Sequence, residues 1–297
     1  MKPVGKPDAG KLHVRFDERG GETERAKAPP RLSSTLLKRG KTDAADAEAV
    51  CEAVTRPTMR FVPVKSPEQQ AALSIHRTRD LLVKQRTQTI NMIRGLLAEF
   101  GIDIPKGLER ALLMARQIVD GKSPDVPIEA AKIVGTLSQQ ALDTHVRLRE
   151  IDRDLAVWLR GNDVARRLMT IPGIGPVGAT ALAASVTDPH QFRSGRQFAA
   201  WLGLTPLQKS SGGKERLGRI TKMGDKYLRK LLVVGMTSRV RRAKQNPAAD
   251  PRLADLLARK PTRVATVAMA NKTARIIWAI MTRGETYHAG HRPALAA

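Results

Sequence analysis

Two short stretches of the sequence place chemically capable side chains at spacings that could serve a phosphate reaction. In Lys41-Thr42-Asp43-Ala44-Ala45-Asp46-Ala47, Asp43 and Asp46 stand three residues apart, so on a helix both carboxylates leave from the same side. Hard oxygens so placed could ligate one divalent cation such as Mg²⁺. The plainer alternative is a capping Asp43 and a solvated Asp46, because the helix dipole favours acids in a first turn. In Ser210-Ser211-Gly212-Gly213, a serine on a flexible turn lies among Lys209, Lys214, Arg216 and Arg219. Such a hydroxyl could attack a phosphodiester while the cations stabilise the crowded transition-state oxygens. A Ser/Gly stretch that is only a loop is the alternative there.

Other chemistries find no support. The six histidines are dispersed, and the single cysteine, Cys51, can form neither an internal disulfide nor a Cys/His zinc set. There is no Walker-type loop and no G-x-G-x-x-G ahead of a helix, so nucleotide hydrolysis has no motif. No run of about 18 apolar residues spans a membrane, and the basic N-terminus lacks the apolar core of a secretory signal. A reducing cytoplasm is the expected compartment.

Charge points to the partner. The chain of 297 residues carries a net charge of +24. Residues 161–297 hold 24 Lys and Arg against 7 acids, and residues 209–244 alone hold 12 against 2. A surface of that sign attracts polyanions through phosphate contact and counterion release. Lys209, Lys214, Arg216, Arg219, Lys222, Lys226, Arg229 and Lys230 are the expected DNA contacts. Aromatic residues make up 3% of the chain, too few for a dedicated single-strand stacking platform, so duplex backbone tracking is favoured.

The elements that must position these groups read as mainly α. Residues 1–40 lack any period of two or of 3.6 and are expected to be a disordered basic arm. A helix is expected from Thr42 or Asp43 to about Val54, with residues 41–64 closing as an extended linker at Pro57 and Pro63. Residues 65–160 form a long-helix region. A helical stripe from Pro67 runs about nine turns through Ile75, Leu82, Ile93, Leu96 and Phe100 to a stop at Gly101. After a short helix near 107–119, Leu137, Ala141, Thr144, Leu148, Ile151, Leu155 and Trp158 follow heptad spacing. The pair predicts either a helical hairpin packed within the chain or a dimerising coiled coil.

From residue 161 to 286 the texture is that of a helical C-terminal domain. Ile171-Pro172-Gly173-Ile174-Gly175-Pro176 between apolar helices reads as a helix-hairpin-helix, whose turn amides at Gly173 and Gly175 could approach a DNA phosphate. The alternative is a turn that binds nothing. Ser194 is expected to cap a helix from Gly195 to Trp201, with Phe198 and Trp201 as core anchors. Helices from Asp225 to about Arg242 and from roughly Thr262 to Arg283 follow, the first burying Leu228, Leu231, Leu232 and Val234 and the second apolar along Val264, Val267, Ala268, Ile276, Ile277 and Ile280. Residues 287–297 are expected to be a loose tail.

These motifs, in this order, resemble the insertion-sequence-one-ten (IS-one-ten) transposases. Beyond the two stretches above, the likeness is carried by Phe192-Arg193-Ser194-Gly195-Arg196-Gln197-Phe198-Ala199-Ala200-Trp201-Leu202-Gly203-Leu204-Thr205-Pro206 and by Gly218-Arg219-Ile220-Thr221-Lys222-Met223-Gly224-Asp225-Lys226-Tyr227-Leu228-Arg229. The resemblance implies a RuvC-like α/β nuclease domain with an Asp-Glu-Asp-Asp Mg²⁺ site and a C-terminal domain that supplies a serine nucleophile. It also implies a structured guide RNA that pairs with DNA; double-stranded DNA is the partner expected from the charge, a homo-oligomer is expected through the long helices, and the bacterial nucleoid is the expected location. Carried over, Asp43 and Asp46 match the last two acids of the tetrad, and Ser211 matches the nucleophile with Ser210 as fallback. Residues 1–40 are too short to encode the rest of a RuvC-like sheet, so that domain is expected to be mostly missing and the copy inactive. Two functions of other classes stay open: a non-catalytic DNA-binding protein, and an oligomerisation partner of a full-length transposase.

Overall fold

The computed structural model describes residues 42–57, 63–122, 125–210, 212–214 and 216–288. The chain divides into two units, residues 1–61 and 62–297. Among the described residues it is almost wholly helical, with ten α-helices and one two-stranded sheet. The expected arm at 1–40 and nearly all of the tail lie outside the described residues.

The first unit contributes α1 (Asp43–Thr55). Thr42 Oγ1 accepts the Ala45 N–H at 3.2 Å and starts the helix. No residue of α1 is buried.

The second unit opens with α2 (Pro67–Glu99), begun by a reciprocal cap in which Ser66 Oγ accepts from Gln69 N–H and Gln69 Oε1 accepts from Ser66 N–H. Gly101, at φ 76°, ends it where the sequence places a stop. After α3 (Leu108–Val119), α4 (Ile128–Gly161) returns along α2. Arg79 Nε meets Asp152 at 2.6 Å, and Arg86 lies 2.9 Å from His145 Nδ1, so residues rise along one helix as they fall along the other. The two helices are antiparallel. The heptad stripe is filled from within the chain, with Ala141, Thr144, Leu148 and Leu155 buried. Ile90, Ile93 and Leu97 of α2 cluster with Leu112, Val134 and Ala141. Phe100, expected on that stripe, is 42% exposed.

The remaining helices are α5 (Asp163–Met169), α6 (Pro176–Ser185), α7 (Gly195–Trp201), α8 (Lys226–Gln245), α9 (Pro251–Arg259) and α10 (Thr262–Arg283). Ser194 Oγ caps α7 by accepting from Gln197 N–H. Phe198 is fully buried and packs with Phe192 and Trp201, whose own ring stays 38% exposed. On α8 the buried side is Leu228, Leu232, Met236 and Val240, at helical spacing. Val234, expected inside, is 57% exposed, because it sits two positions out of that phase. Val264 is likewise exposed, and Ala265, Met269, Ile277 and Ile280 carry the α10 contact instead.

One buried histidine ties three helices. His76 of α2, 1% exposed, lies 3.1 Å from Tyr227 Oη of α8 and 3.1 Å from Thr180 Oγ1 of α6. Thr180 donates its own proton to the Pro176 carbonyl at 2.8 Å. Nε2 therefore carries the imidazole proton and Nδ1 accepts from Tyr227, so the ring is satisfied while neutral. Burial, helped by nearby Arg79, pulls the His76 pKa down from 6.5 to about 4. The unfolded chain protonates at the higher value. Stability is thus full above pH 6.5 and falls as pH drops from 6.5 towards 4, by about 3 kcal/mol in all. Urea unfolding across that range checks it: His76→Gln should be less stable at neutral pH and should show a flatter decline. Parallel curves for the two proteins would refute the assignment.

Candidate nucleic-acid interface and serine hairpin

The Gly/Ser stretch, read as a loop, is the tip of a β-hairpin. Strand β1 (Pro206–Gln208) pairs antiparallel with β2 (Leu217–Ile220), Pro206 facing Ile220 and Gln208 facing Leu217, with an irregularity between. The ladder extends past both strands. Lys209 N–H donates to the Arg216 carbonyl at 2.9 Å, and Thr221 N–H donates to Thr205 at 2.8 Å. Gly212 and Gly213 turn the tip at φ 57° and 75°.

Ser210 closes this turn. Its Oγ accepts the Arg216 N–H and the Gln208 side-chain amide, each at 3.0 Å. Two donors directed at one hydroxyl oxygen occupy its lone pairs and blunt it as a nucleophile. Ser211 itself lies outside the described residues.

Lys209, Lys214, Arg216 and Arg219 are all exposed along the hairpin, and Lys222 and Lys226 are exposed just beyond it. Lys222 holds a left-handed backbone, φ 57°, with its N–H donated to the Gly203 carbonyl at 3.1 Å. Asp225 caps α8 by accepting from Tyr227 and Leu228 N–H at 2.7 and 2.9 Å. Beneath the hairpin the backbones touch: a Cβ on Gly224 would run into the Trp201 carbonyl oxygen.

One of the expected DNA contacts is spent inside the protein, and another is paired at the surface. Arg229 is buried at 9% exposure, and its Nη1 donates to the Leu202 carbonyl at 2.9 Å and the Met223 carbonyl at 2.8 Å. It clamps the end of α7 to the segment that enters α8, so its guanidinium is not offered to phosphate. Lys230 Nζ sits 2.5 Å from Asp80 Oδ1 on α2. Lys230, with Lys84, holds the Asp80 carboxyl below its ordinary range, and the two lysines share that one carboxylate while Lys230 stays exposed.

Gly173 and Gly175 are exposed in the turn between α5 and α6, with Gly173 at φ 90°. That turn is also a packing element. A Cβ on Gly235 of α8 would meet the Gly173 carbonyl oxygen, so the helix passes directly against the turn's backbone.

Asp43 and Asp46 stand exposed on the first turn of α1, in the other unit. Their oxygens suit a hard cation in kind, but two carboxylates do not complete its shell. Among the described residues no three His, Cys, Asp or Glu side chains converge on a metal-sized site. No described helix is long and apolar enough to cross a membrane.

Sequence reasoning missed His76, the role of Arg229 and the hairpin strands. It also passed over α9, although Asp250 followed by Pro251 is a start signal that could have found it.

Comparison with known proteins bears on the same segments. Residues 165–251 match the family described as Transposase IS116/IS110/IS902, and residues 24–102 match a second transposase model of the DEDD IS110 type. A putative transposase, y4pF/y4sB, of Sinorhizobium fredii is 45% identical over 260 residues, covering 87% of this chain and 67% of its own. A probable family 20 transposase of Pseudomonas aeruginosa is 44% identical over 272 residues, covering 91% and 80%. The transposase for insertion sequence element IS1111A of Coxiella burnetii is 37% identical over 262 residues, covering 88% and 72%.

Proposed function

The chain belongs to the IS116/IS110/IS902 family of transposases, and on that ground we propose that it cuts and joins duplex DNA at the tip of the β1–β2 hairpin. The observation that carries this reading is the set of cations exposed on one hairpin and the start of α8, namely Lys209, Lys214, Arg216, Arg219, Lys222 and Lys226. They would hold a phosphate and stabilise charge on its oxygens as a nucleophile approaches. Between Lys209 and Arg216 the sequence offers two hydroxyls, and Ser210 is committed to the turn. Ser211 is therefore assigned as the nucleophile.

In the assigned step, Ser211 Oγ bonds to phosphorus as the bond to one ester oxygen breaks. The serine proton leaves to a base, and the departing deoxyribose oxygen takes one up. One phosphoester replaces another, so a second DNA hydroxyl can reverse the step and rejoin strands with no nucleotide triphosphate, in keeping with a sequence that lacks a Walker loop. Gly173 and Gly175 are assigned to a neighbouring phosphate through backbone amides of the helix-hairpin-helix turn.

The DEDD type suggests divalent-metal use, and Asp43 and Asp46 are assigned as two of the ligands of a Mg²⁺ ion. When bound, the ion would supply positive charge to a phosphate oxygen brought to it. Guidance by a structured RNA is taken from the family resemblance. A homo-oligomer is proposed on exposed apolar positions of the long helices, such as Leu81, Val146 and Val157, because the heptad stripe is filled internally.

The reading is tested by incubating the protein with duplex from its own element, the element's RNA and Mg²⁺, then denaturing. A DNA adduct that survives detergent, with the nucleotide on the peptide holding Ser211, is the expected result. Salt-sensitive DNA binding with no adduct under any condition would leave a non-catalytic DNA-binding protein in its place.

A further inference from the structure

Away from the hairpin, two cavities of about 660 and 820 Å³ adjoin along α10. They share Arg252, Lys272 and Tyr287, so together they form one groove. The first is lined by Arg196, Arg275 and Arg283 besides the shared cations, and the second adds Arg239, Arg242 and Arg259. Eight Lys and Arg thus face two acids, Glu285 and Asp250. Asp250 is already answered by Arg239, with bonds of 2.9 and 2.5 Å. None of these lining residues belongs to the hairpin.

The floor of the groove is apolar and aromatic, with Ile276, Ile280, Trp278 and Tyr287. Both residues are half-buried, with the Trp278 ring held by its indole N–H and Tyr287 held through its backbone. Trp278 Nε1 donates to the Pro189 carbonyl at 3.1 Å, and Tyr287 N–H donates to Thr170 Oγ1 at 2.9 Å. The Gly284 carbonyl accepts from Arg167 at 3.3 Å, which fixes the segment leading to Tyr287. Cations along the rim with aromatic side chains below are what a chain of phosphates carrying bases requires. Cavities of this size admit one strand, whereas a duplex, with a major groove alone about 12 Å wide, does not fit inside. The few aromatic residues of the chain argue against an extended stacking platform, yet two of them are concentrated here.

We propose that this groove binds a single nucleic-acid strand, with phosphates on Arg252, Lys272 and Arg275 and a base against Tyr287, as a site separate from the duplex face of the hairpin. The assignment does not rest on Ser211 or on covalent chemistry. Its test uses the full chain, a labelled single-stranded oligonucleotide and a labelled duplex, titrated between about 50 and 200 mM salt. Lys272→Gln combined with Arg275→Gln should weaken strand binding about tenfold or more and flatten its salt slope by about 1.4, the share of two phosphate contacts on a single strand. Tyr287→Ala should cost about tenfold with an unchanged slope, the mark of lost stacking. Both should move duplex binding by less than about threefold, whereas Arg216→Gln with Arg219→Gln should do the reverse. Circular dichroism controls for folding, and the two groove variants stand in for one another if either misfolds. Running the oligonucleotide as DNA and as RNA names the sugar, since loss on either strand supports the groove. Unchanged binding of both strands, or equal loss for strand and duplex, would overturn it.

Discussion

Ser211→Ala is expected to reduce the detergent-resistant protein–DNA adduct by about a thousandfold or more, the scale seen when a nucleophile is deleted from a working site. Duplex affinity should stay within about twofold, because the hairpin's cations, as assigned, would supply phosphate attraction independently of the hydroxyl. Ser210→Ala should behave differently. It strips an acceptor from the Arg216 amide and the Gln208 side chain, loosening the turn by about 1 kcal/mol while the adduct still forms. Both variants are compared by denaturing gel and by filter binding. An adduct that persists in Ser211→Ala but disappears in Ser210→Ala would exchange the two roles, and persistence in both would move the nucleophile off the hairpin.

The second large effect concerns stability. Arg229→Met keeps the length of the side chain but leaves the Leu202 and Met223 carbonyls without their donor. With the buried Leu202 carbonyl left unsatisfied and the part-buried Met223 carbonyl losing its partner, the loss is about 2–3 kcal/mol. Thermal and urea unfolding should both register it, while duplex affinity per folded molecule stays the same. Arg216→Gln should reverse the pattern, since its exposed cation is assigned to DNA contact and contributes little to the fold. A normal melting temperature together with lost DNA binding in Arg229→Met would return that residue to the interface.

These two arginines also mark where the sequence could be read and where it could not. Long elements were legible because periodicity over many turns averages out local noise: α2 runs from its Ser66 cap to the Gly101 stop, and α4 from Ile128 through the whole heptad stripe. Whether that stripe faces its own chain or a partner was open, since the spacing is the same for both, and within the chain Arg79 of α2 meets Asp152 of α4. The hairpin was not legible. Its strands have three and four residues, and β1 is exposed throughout, so no alternation of apolar and polar residues announces it. Arg229 follows Leu228 in a run of cations, and nothing local distinguishes a guanidinium that will cap two carbonyls from one that will meet solvent. His76 was obscure for the same reason: its partners, Thr180 and Tyr227, lie more than a hundred residues away. In the candidate site the motif identified the serines and cations, but which cations remain available is a property of packing.

The Thr180–His76–Tyr227 contact links segments that fall in different family matches, His76 within residues 24–102 and its two partners within residues 165–251. Gene shuffling between relatives that broke the chain anywhere from 103 to 164 would separate the imidazole from both hydroxyls. A chimaera whose other parent lacked them would place an unsatisfied ring in its interior. Compatible parents are therefore those that agree on this trio as well as on the Lys230–Asp80 pair, so the three residues act as one password among the contacts that join the two segments.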